Sequence, residues 1–264
     1  MRAEKIKVLL SDPQILFREG IHFTLSGEED FEVIGEVTSN EEVLAFIETN
    51  PPNIAVLNMR NGKLDGPSAT RIIKRNYLSV AVMLVSEVDD TELIFSALKS
   101  GASAFLTKDT DPDYLLDLIR VVAQGSQPII ESLLRPELAS RVTQEFEAIA
   151  PLSEQLNNML ARLSPREAEV LGSIAAGKEI EQIATSLGIN EETVRRQLRI
   201  VVNKLVANDQ SQALIAAAQR NLPSFPPGIA PLGQPATEYV TKAEFNEFKE
   251  RLMQRFKSLV GESS

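Results

Sequence analysis

Two groups of residues in this chain carry side chains able to do chemistry. The first is Ser11 and Asp12, Asn58, Ser86 and Glu87, and Lys108, each placed just after or at the end of a short apolar run. Oxygen ligands of this kind hold hard cations, and an ammonium offers a point charge to an anion. The second is Arg195, Arg196 and Arg199, whose spacing of one and four puts them on one solvent face of a helix. Arginine is the side chain best shaped for bidentate contact with guanine or phosphate. Other chemistries are excluded. The chain has no Cys, so disulfides, thiol nucleophiles and cysteine metal sites are absent. Its one His, His22, cannot build a histidine metal site or a Ser-His-Asp triad, and on the first helix it reads as a partly exposed structural residue. Nothing assembles an enzyme active site, and no cofactor or resident metal is expected.

The elements that must position the first group lie in residues 1–125. Apolar runs rich in Val, Ile and Leu recur at Lys7–Leu10, Phe31–Val37, Asn53–Leu57, Val80–Val85 and Ala104–Leu106. Between them lie stretches with helical spacing. Asn40 reads as the cap of a helix over Glu41–Glu48, with Val43, Leu44 and Ile47 on one face. Asp111-Pro112 reads as a cap followed by Pro at the first helical position, before Leu115, Leu118, Ile119 and Val122. Gly101 and Gly125 sit where helices end. Five such repeats predict a doubly wound parallel α/β sheet, whose ligand site lies beyond the carboxyl ends of the strands.

Residues 5–125 resemble the receiver domain of bacterial response regulators. "VLLSDPQILFREG" is similar to the first strand and helix of the NarL/FixJ subfamily, "PPNIAVLNMRNGKLDGPSATRI" to its phosphoacceptor strand and loop, and "GASAFLTKD" to its lysine-bearing strand. The resemblance implies a flavodoxin-like, five-stranded fold. It also implies a site in which an Asp takes a phosphoryl group, two acids hold Mg²⁺, and a Ser/Thr and a Lys contact the phosphate. This sequence departs from that set. Position 58 is Asn, an amide without a usable nucleophile, and Pro13 follows Asp12 where a second acid belongs. One carboxylate of three remains, a poor Mg²⁺ site. Met59-Arg60-Asn61-Gly62 stands where relatives have a Met-Pro pair, while Ser86, Lys108 and Phe105 (the place of the switch aromatic) still match. A pseudo-receiver that is not phosphorylated at this site follows. Lys108 either pairs with Asp12 or keeps an anion site, and Asn58 could hydrogen-bond Lys108.

Residues 163–222 open on "LSPREAEVL", in which Ser164, Pro165 and Glu167 make a capping box. A short helix ends at Gly188, a third is capped by Asn190 with Val194, Leu198, Val201, Val202 and Leu205 inward, and "SQALIAAAQRNL" reads as a fourth. Short helices around a Gly turn predict an all-α helix-turn-helix domain. The order "LSPREAEVL…G…IA…LGI…TV…KL" resembles the LuxR-type domain of the same regulators. The resemblance implies that the third helix enters the major groove of double-stranded DNA with Arg195, Arg196 and Arg199 as readers. Thr193, Lys204, Lys178 and the helix start near Ser164 would contact the backbone. Here too the chain departs from the pattern: Ile180-Glu181 replaces Asn-Lys, Gln210 replaces a basic residue, and Glu179, Glu181, Glu191 and Glu192 crowd the same face. The alternative is a solvated face in which the arginines pair with Glu191 and Glu192.

Residues 126–162 form a helical linker, with stripes Leu138, Val142, Phe146, Ile149 and Leu152, Leu156, Met159, Leu160, Leu163 broken at Pro151. They pack on a neighbouring domain or form a dimer seam. Residues 223–236 hold five Pro and two Gly, an extended linker. In 237–264, Thr241 and Glu244 begin a C-terminal amphipathic helix with Phe245, Phe248, Leu252, Phe256 and Leu259 in line. That helix pairs with a second copy, binds a protein partner, or docks on its own chain. The net charge of −10 is concentrated in residues 1–125, at −8, while 163–222 is neutral with seven basic residues. No apolar run approaches the roughly 18 residues of a membrane span, and MRAEKIKVLLSD turns polar too soon for a signal peptide, so a cytoplasmic protein without membrane contact is expected. The leading reading is a homodimeric, DNA-binding transcription regulator independent of phosphorylation. The competing one is a signalling adaptor that acts through its receiver and C-terminal helix.

Overall fold

Apolar runs covered on both faces build the sheet. In a computed structural model of the chain, which describes residues 5–155, 160–221 and 250, five strands pair in parallel in the order β2-β1-β3-β4-β5. They are β1 (Ile6–Ser11), β2 (Phe31–Val37), β3 (Ile54–Asn58), β4 (Ala81–Ser86) and β5 (Ala104–Thr107). Helices α1 (Ile15–Ser26), α2 (Asn40–Thr49), α3 (Gly66–Asn76), α4 (Thr91–Ser100) and α5 (Pro112–Ala123) connect and follow them. One set of strand side chains (Val8, Leu10, Val56, Met83, Val85) packs under α1 and α5. The other (Leu9, Ala55, Leu57, Val82, Leu84) packs under α2, α3 and α4. Both faces are covered, which is why these strands read as continuous apolar runs. The predicted α/β fold is the observed one. The carboxyl ends of β1 and β3, where strand order reverses, bring Asp12 and Asn58 together.

Beyond the sheet the second core does not stop. A 3₁₀ helix (Pro128–Leu134), α6 (Pro136–Gln155), α7 (Pro165–Ala175), α8 (Ile180–Leu187) and α9 (Glu191–Asn221) follow. Ile129 and Leu133, Leu138, Val142 and Phe146, Val170 and Leu171, Ile183, and Val194, Leu198, Val201 and Leu205 all join the cluster that begins under α2–α4. The stripe of α6 therefore packs on its own chain. Contacts divide the molecule into Met1–Ser211 and Gln212–Ser264. Of the second unit, the end of α9 and Glu250 are described. The Pro-rich linker 223–236 lies outside the described residues, as does the amphipathic stripe of 237–264. The side chains of Leu152, Leu156 and Met159 do too; Leu160 is buried and Leu163 partly so.

Three local expectations are corrected. Ser39 caps α2, its hydroxyl accepting from the Glu42 amide, and Asn40 is a fully buried residue of the first turn. Helix α6 runs through Pro151 to Gln155 instead of breaking there. The missing N–H deletes one hydrogen bond in the last turn and a half, where a helix tolerates it better than at its centre. The third and fourth helices of the C-terminal region are one 31-residue helix, α9. No Gly or Pro interrupts Leu205–Gln212, and Asn208 and Asp209, which lie between the two predicted helices, are buried and bonded. His22 is half-exposed as expected and meets the Glu36 carboxylate at 2.5 Å. Among the described residues no helix is long and apolar enough to cross a membrane.

Candidate functional site

The strand ends form a closed polar cluster. Asp12, at the carboxyl end of β1, is buried, and both its oxygens are taken. Oδ1 accepts the Gln14 amide at 2.7 Å and Lys108 Nζ at 3.1 Å; Oδ2 accepts Asn58 Nδ2 at 2.7 Å and lies 2.9 Å from Lys108 Nζ. Asn58 Oδ1 accepts the Arg60 backbone amide at 2.8 Å, so both ends of the amide are bound and its orientation is fixed. Lys108 pairs with Asp12 and sits 4.9 Å over the Phe17 ring, with Glu87 at 3.8 Å. The alternative in which Asn58 bonds Lys108 is not the one adopted. Ser86 turns its hydroxyl to the Val88 amide at 3.2 Å, closing its own loop. Phe105 is partly buried against the core.

A second layer of amides, which the sequence did not single out, supports this cluster. Asn40 Nδ2 donates to the Asn58 carbonyl at 3.2 Å and to the Leu64 carbonyl at 3.0 Å, and its Oδ1 accepts the Ser11 hydroxyl at 3.2 Å. Asn61 Nδ2 donates to Ser11 Oγ. Gly66, the first residue of α3, packs on the same strand end; a methyl there would lie 2.8 Å from the Asn58 carbonyl. The hint in the sequence was an Asn at each of positions 40, 58 and 61, but no short-range pattern says that the three meet. The residues do not fit Mg²⁺. Asp12 has no free oxygen edge, Pro13 brings no carboxylate, and Asn58 turns its NH₂ group toward the place a cation would need as oxygen.

The C-terminal helices carry the second candidate site. Ser164 and Glu167 form the predicted capping box of α7. Gly188, at φ +62°, makes the left-handed turn that ends α8, a conformation few other residues adopt cheaply. Asn190 Oδ1 then accepts both the Thr193 amide at 2.8 Å and the Thr193 hydroxyl at 2.7 Å, starting α9. Arg196 and Arg199 are exposed on α9, three residues apart, and make no ion pair among the described residues. Lys178 is exposed in the turn before α8.

Arg195 differs from its neighbours. It is partly buried and paired with Glu191 and with Glu131 of the 3₁₀ helix, each at 3.1 Å. The Glu191 hydrogen bond does most to raise its guanidinium above the usual arginine range; burial opposes it and Glu131 adds to it. Lys204 is placed differently from the expectation of a backbone contact. Its ammonium donates to both oxygens of buried Glu167, at 2.7 and 2.9 Å, and to the Arg162 carbonyl at 3.0 Å, so all three donors are used inside the domain. Thr193 likewise spends its hydroxyl on Asn190. The arginine triad thus divides into two open side chains, Arg196 and Arg199, and one held residue, Arg195.

A parallel sheet with a Lys–Asp cluster at its switch point, followed by a helix-turn-helix, defines a receiver joined to a DNA-binding module. Residues 8–120 match the family "Response regulator receiver domain" and residues 161–217 match "Bacterial regulatory proteins, luxR family". The "Probable transcriptional regulatory protein NarL" of Mycobacterium tuberculosis is 30% identical over 83% of this chain and 96% of its own length. The "Response regulator protein VraR" of Staphylococcus epidermidis is 32% identical over 82% and 98%. The solved receiver domain of the Mycobacterium tuberculosis NarL covers 46% of this chain and 98% of that one, at 30% identity and a TM-score of 0.45. The chain belongs to the NarL/FixJ family of response regulators, transcriptional regulators of two-component systems that carry a LuxR-type DNA-binding domain.

Proposed function

We propose that this protein is a cytoplasmic, DNA-binding transcription regulator whose receiver works without phosphoryl transfer. One observation carries the reading: the residue in the acceptor position, Asn58, is an amide that donates its N–H to the remaining acid, Asp12. An aspartyl phosphate needs an anionic carboxylate as nucleophile, and here the group is neutral and its lone pairs face the Arg60 amide. Lys108 already has its anion in Asp12. DNA contact falls to Arg196 and Arg199 on the open face of α9 and to exposed Lys178 before α8, and Arg195 joins if Glu131 and Glu191 release it. Two copies reading half-sites related by a two-fold axis would supply the affinity that one short helix lacks. The amphipathic pattern of 237–264 is the proposed contact for a second copy or a protein partner.

A second reading, the signalling adaptor, is favoured by one observation: Arg195, one of the three arginines proposed to read DNA, is paired with two glutamates. Fluorescence anisotropy against a pool of genomic fragments, at low and at physiological salt, separates the two. A regulator binds a subset of fragments, and an Arg195/Arg196/Arg199→Ala variant loses them; absence of selective binding by the wild type at low salt sinks the DNA reading. Mass spectrometry after acetyl phosphate and Mg²⁺ tests the receiver, and a stable phosphoryl adduct would overturn its proposed silence.

A further inference from the structure

Two adjacent buried polar residues sit midway along α9. Asn208 grips the chain on one side: its Oδ1 accepts the Ala161 amide at 2.7 Å and its Nδ2 donates to the Ala161 carbonyl at 2.9 Å. Asp209 points the other way, into the receiver. Its Oδ2 lies 2.5 Å from Arg71 Nε on α3, and its Oδ1 accepts from Arg71 Nη2 at 3.4 Å and stands 3.8 Å from Lys99 Nζ on α4. Lys99 is bonded in turn to Glu145 of α6, which Arg141 also holds, and Arg141 stacks 3.9 Å over Phe95. Three residues before Asp209, Val206 packs at the end of α4; a methyl at Gly101 would sit 3.5 Å from its Cγ1.

We propose that Asp209 is a positioning residue that locks α9 to the receiver, so that the receiver serves as a fixed brace for the reading helix and not as a switch. The proposal rests on the DNA reading above only for what the brace aims. Neighbouring helical residues project about 100° apart, so Asn208 and Asp209 hold α9 from two directions and fix both its rotation and its height. Arg199 lies ten residues earlier, roughly 15 Å along the same axis, with no break between. An aspartate is a poor mid-helix residue, and a buried carboxylate is costly unless paired. The two cations that pair it belong to α3 and α4. Asp209 therefore stabilises only the arrangement in which α9 and the receiver are docked.

The absence of Cys makes the test direct. Spin labels are placed on the full chain at Ser26→Cys, at the end of α1, and at Asn203→Cys, exposed on α9. Double electron–electron resonance should give one narrow distance in the otherwise wild-type chain. Asp209→Ala and Arg71→Ala should each broaden it, the double variant no more than either alone, and the near-isosteric Asp209→Asn less, with helix content unchanged by circular dichroism. The ratio of selective to nonselective fragment binding should fall about tenfold in Asp209→Ala, with its salt dependence intact because Arg196 and Arg199 are untouched. A distance that stays narrow in both Asp209 variants overturns the brace, whatever the DNA result. A broadened distance in a protein that selects no DNA keeps the brace and removes the reader it was thought to aim.

Discussion

Asn58 and Asp12 meet through one hydrogen bond of 2.7 Å, with the amide as donor and the carboxylate as acceptor. In that direction a neutral amide solvates the carboxylate without changing its charge, and Lys108 supplies the counter-charge at 2.9 Å. The strand ends are thereby a self-satisfied cluster built on the Asp12–Lys108 pair and a ring of amides, with Glu87 at its rim and Arg18 on the Asp12 carbonyl. Its contribution is to stability, and substitution should show this.

Asn58→Asp should not recreate a phosphorylation site and should weaken the fold. It removes the donor to Asp12 and sets a second carboxylate beside it, with Lys108 the cation bonded to the Asp12 carboxylate. A loss of about 1–3 kcal/mol is expected at neutral pH, read as a lower urea midpoint with unchanged slope. Mild acid should return part of it as one carboxyl takes a proton.

Lys108→Met should cost more, because it leaves Asp12 buried with its charge uncompensated; breaking one side of a buried pair typically costs about 3–5 kcal/mol. Removing both charges in Asp12→Asn/Lys108→Met should be milder than Lys108→Met alone. If the single variant melts with the wild type, the ion pair is not what holds the strand ends.

On α9, Arg196→Ala and Arg199→Ala should each lower the slope of log affinity against log salt by about 0.9, without loss of stability, since both are exposed and make no ion pair among the described residues. Lys204→Met should do the reverse. It leaves the salt slope alone and lowers the melting temperature, because Glu167 is buried and loses its cation. An equal drop in slope for all three would restore Lys204 as a phosphate contact.

Glu145 sets an acid limit on the packing of α6 against α4. Burial pushes its carboxyl up, but Lys99 and Arg141 outweigh it and hold the group below the ordinary glutamate value of 4.5. A carboxyl depressed in the folded state contributes fully above the unfolded value and loses that contribution as pH falls through the folded one. Stability should therefore decline below about pH 4.5. Glu145→Gln should be less stable at pH 7 and show a shallower acid decline, as followed by urea unfolding between pH 7 and 3.

The strands were legible because burial on both faces leaves unbroken apolar runs: Phe31–Val37 is the predicted span, and the other four shift by a residue or so. The capping box at Ser164 and the glycine turn at Gly188 were legible for the same local reason. Apart from Pro151, which α6 simply runs through, the misreadings involve polar residues satisfied at a distance. Asn40 looks like a cap until its partners at Asn58 and Leu64 are known. Asn208 and Asp209 fall between two predicted helices, and their partners Ala161 and Arg71 are far away in sequence. Lys204 looks like a DNA contact until Glu167, 37 residues away, takes it. Within the pocket, the lost nucleophile was plain from one letter, whereas the direction of the Asn58 amide was set by Arg60 and Asp12 together.

The unbroken run of α9 from Arg196 to Asp209 has a consequence for length rather than composition. A helix transmits phase: one residue added or removed between Arg199 and Asn208 would turn the arginine face by about 100° against its anchor and shift it by about 1.5 Å. Exposed positions on this stretch, such as Asn203, can change identity freely. Their number cannot change without pointing the arginines at a different part of space.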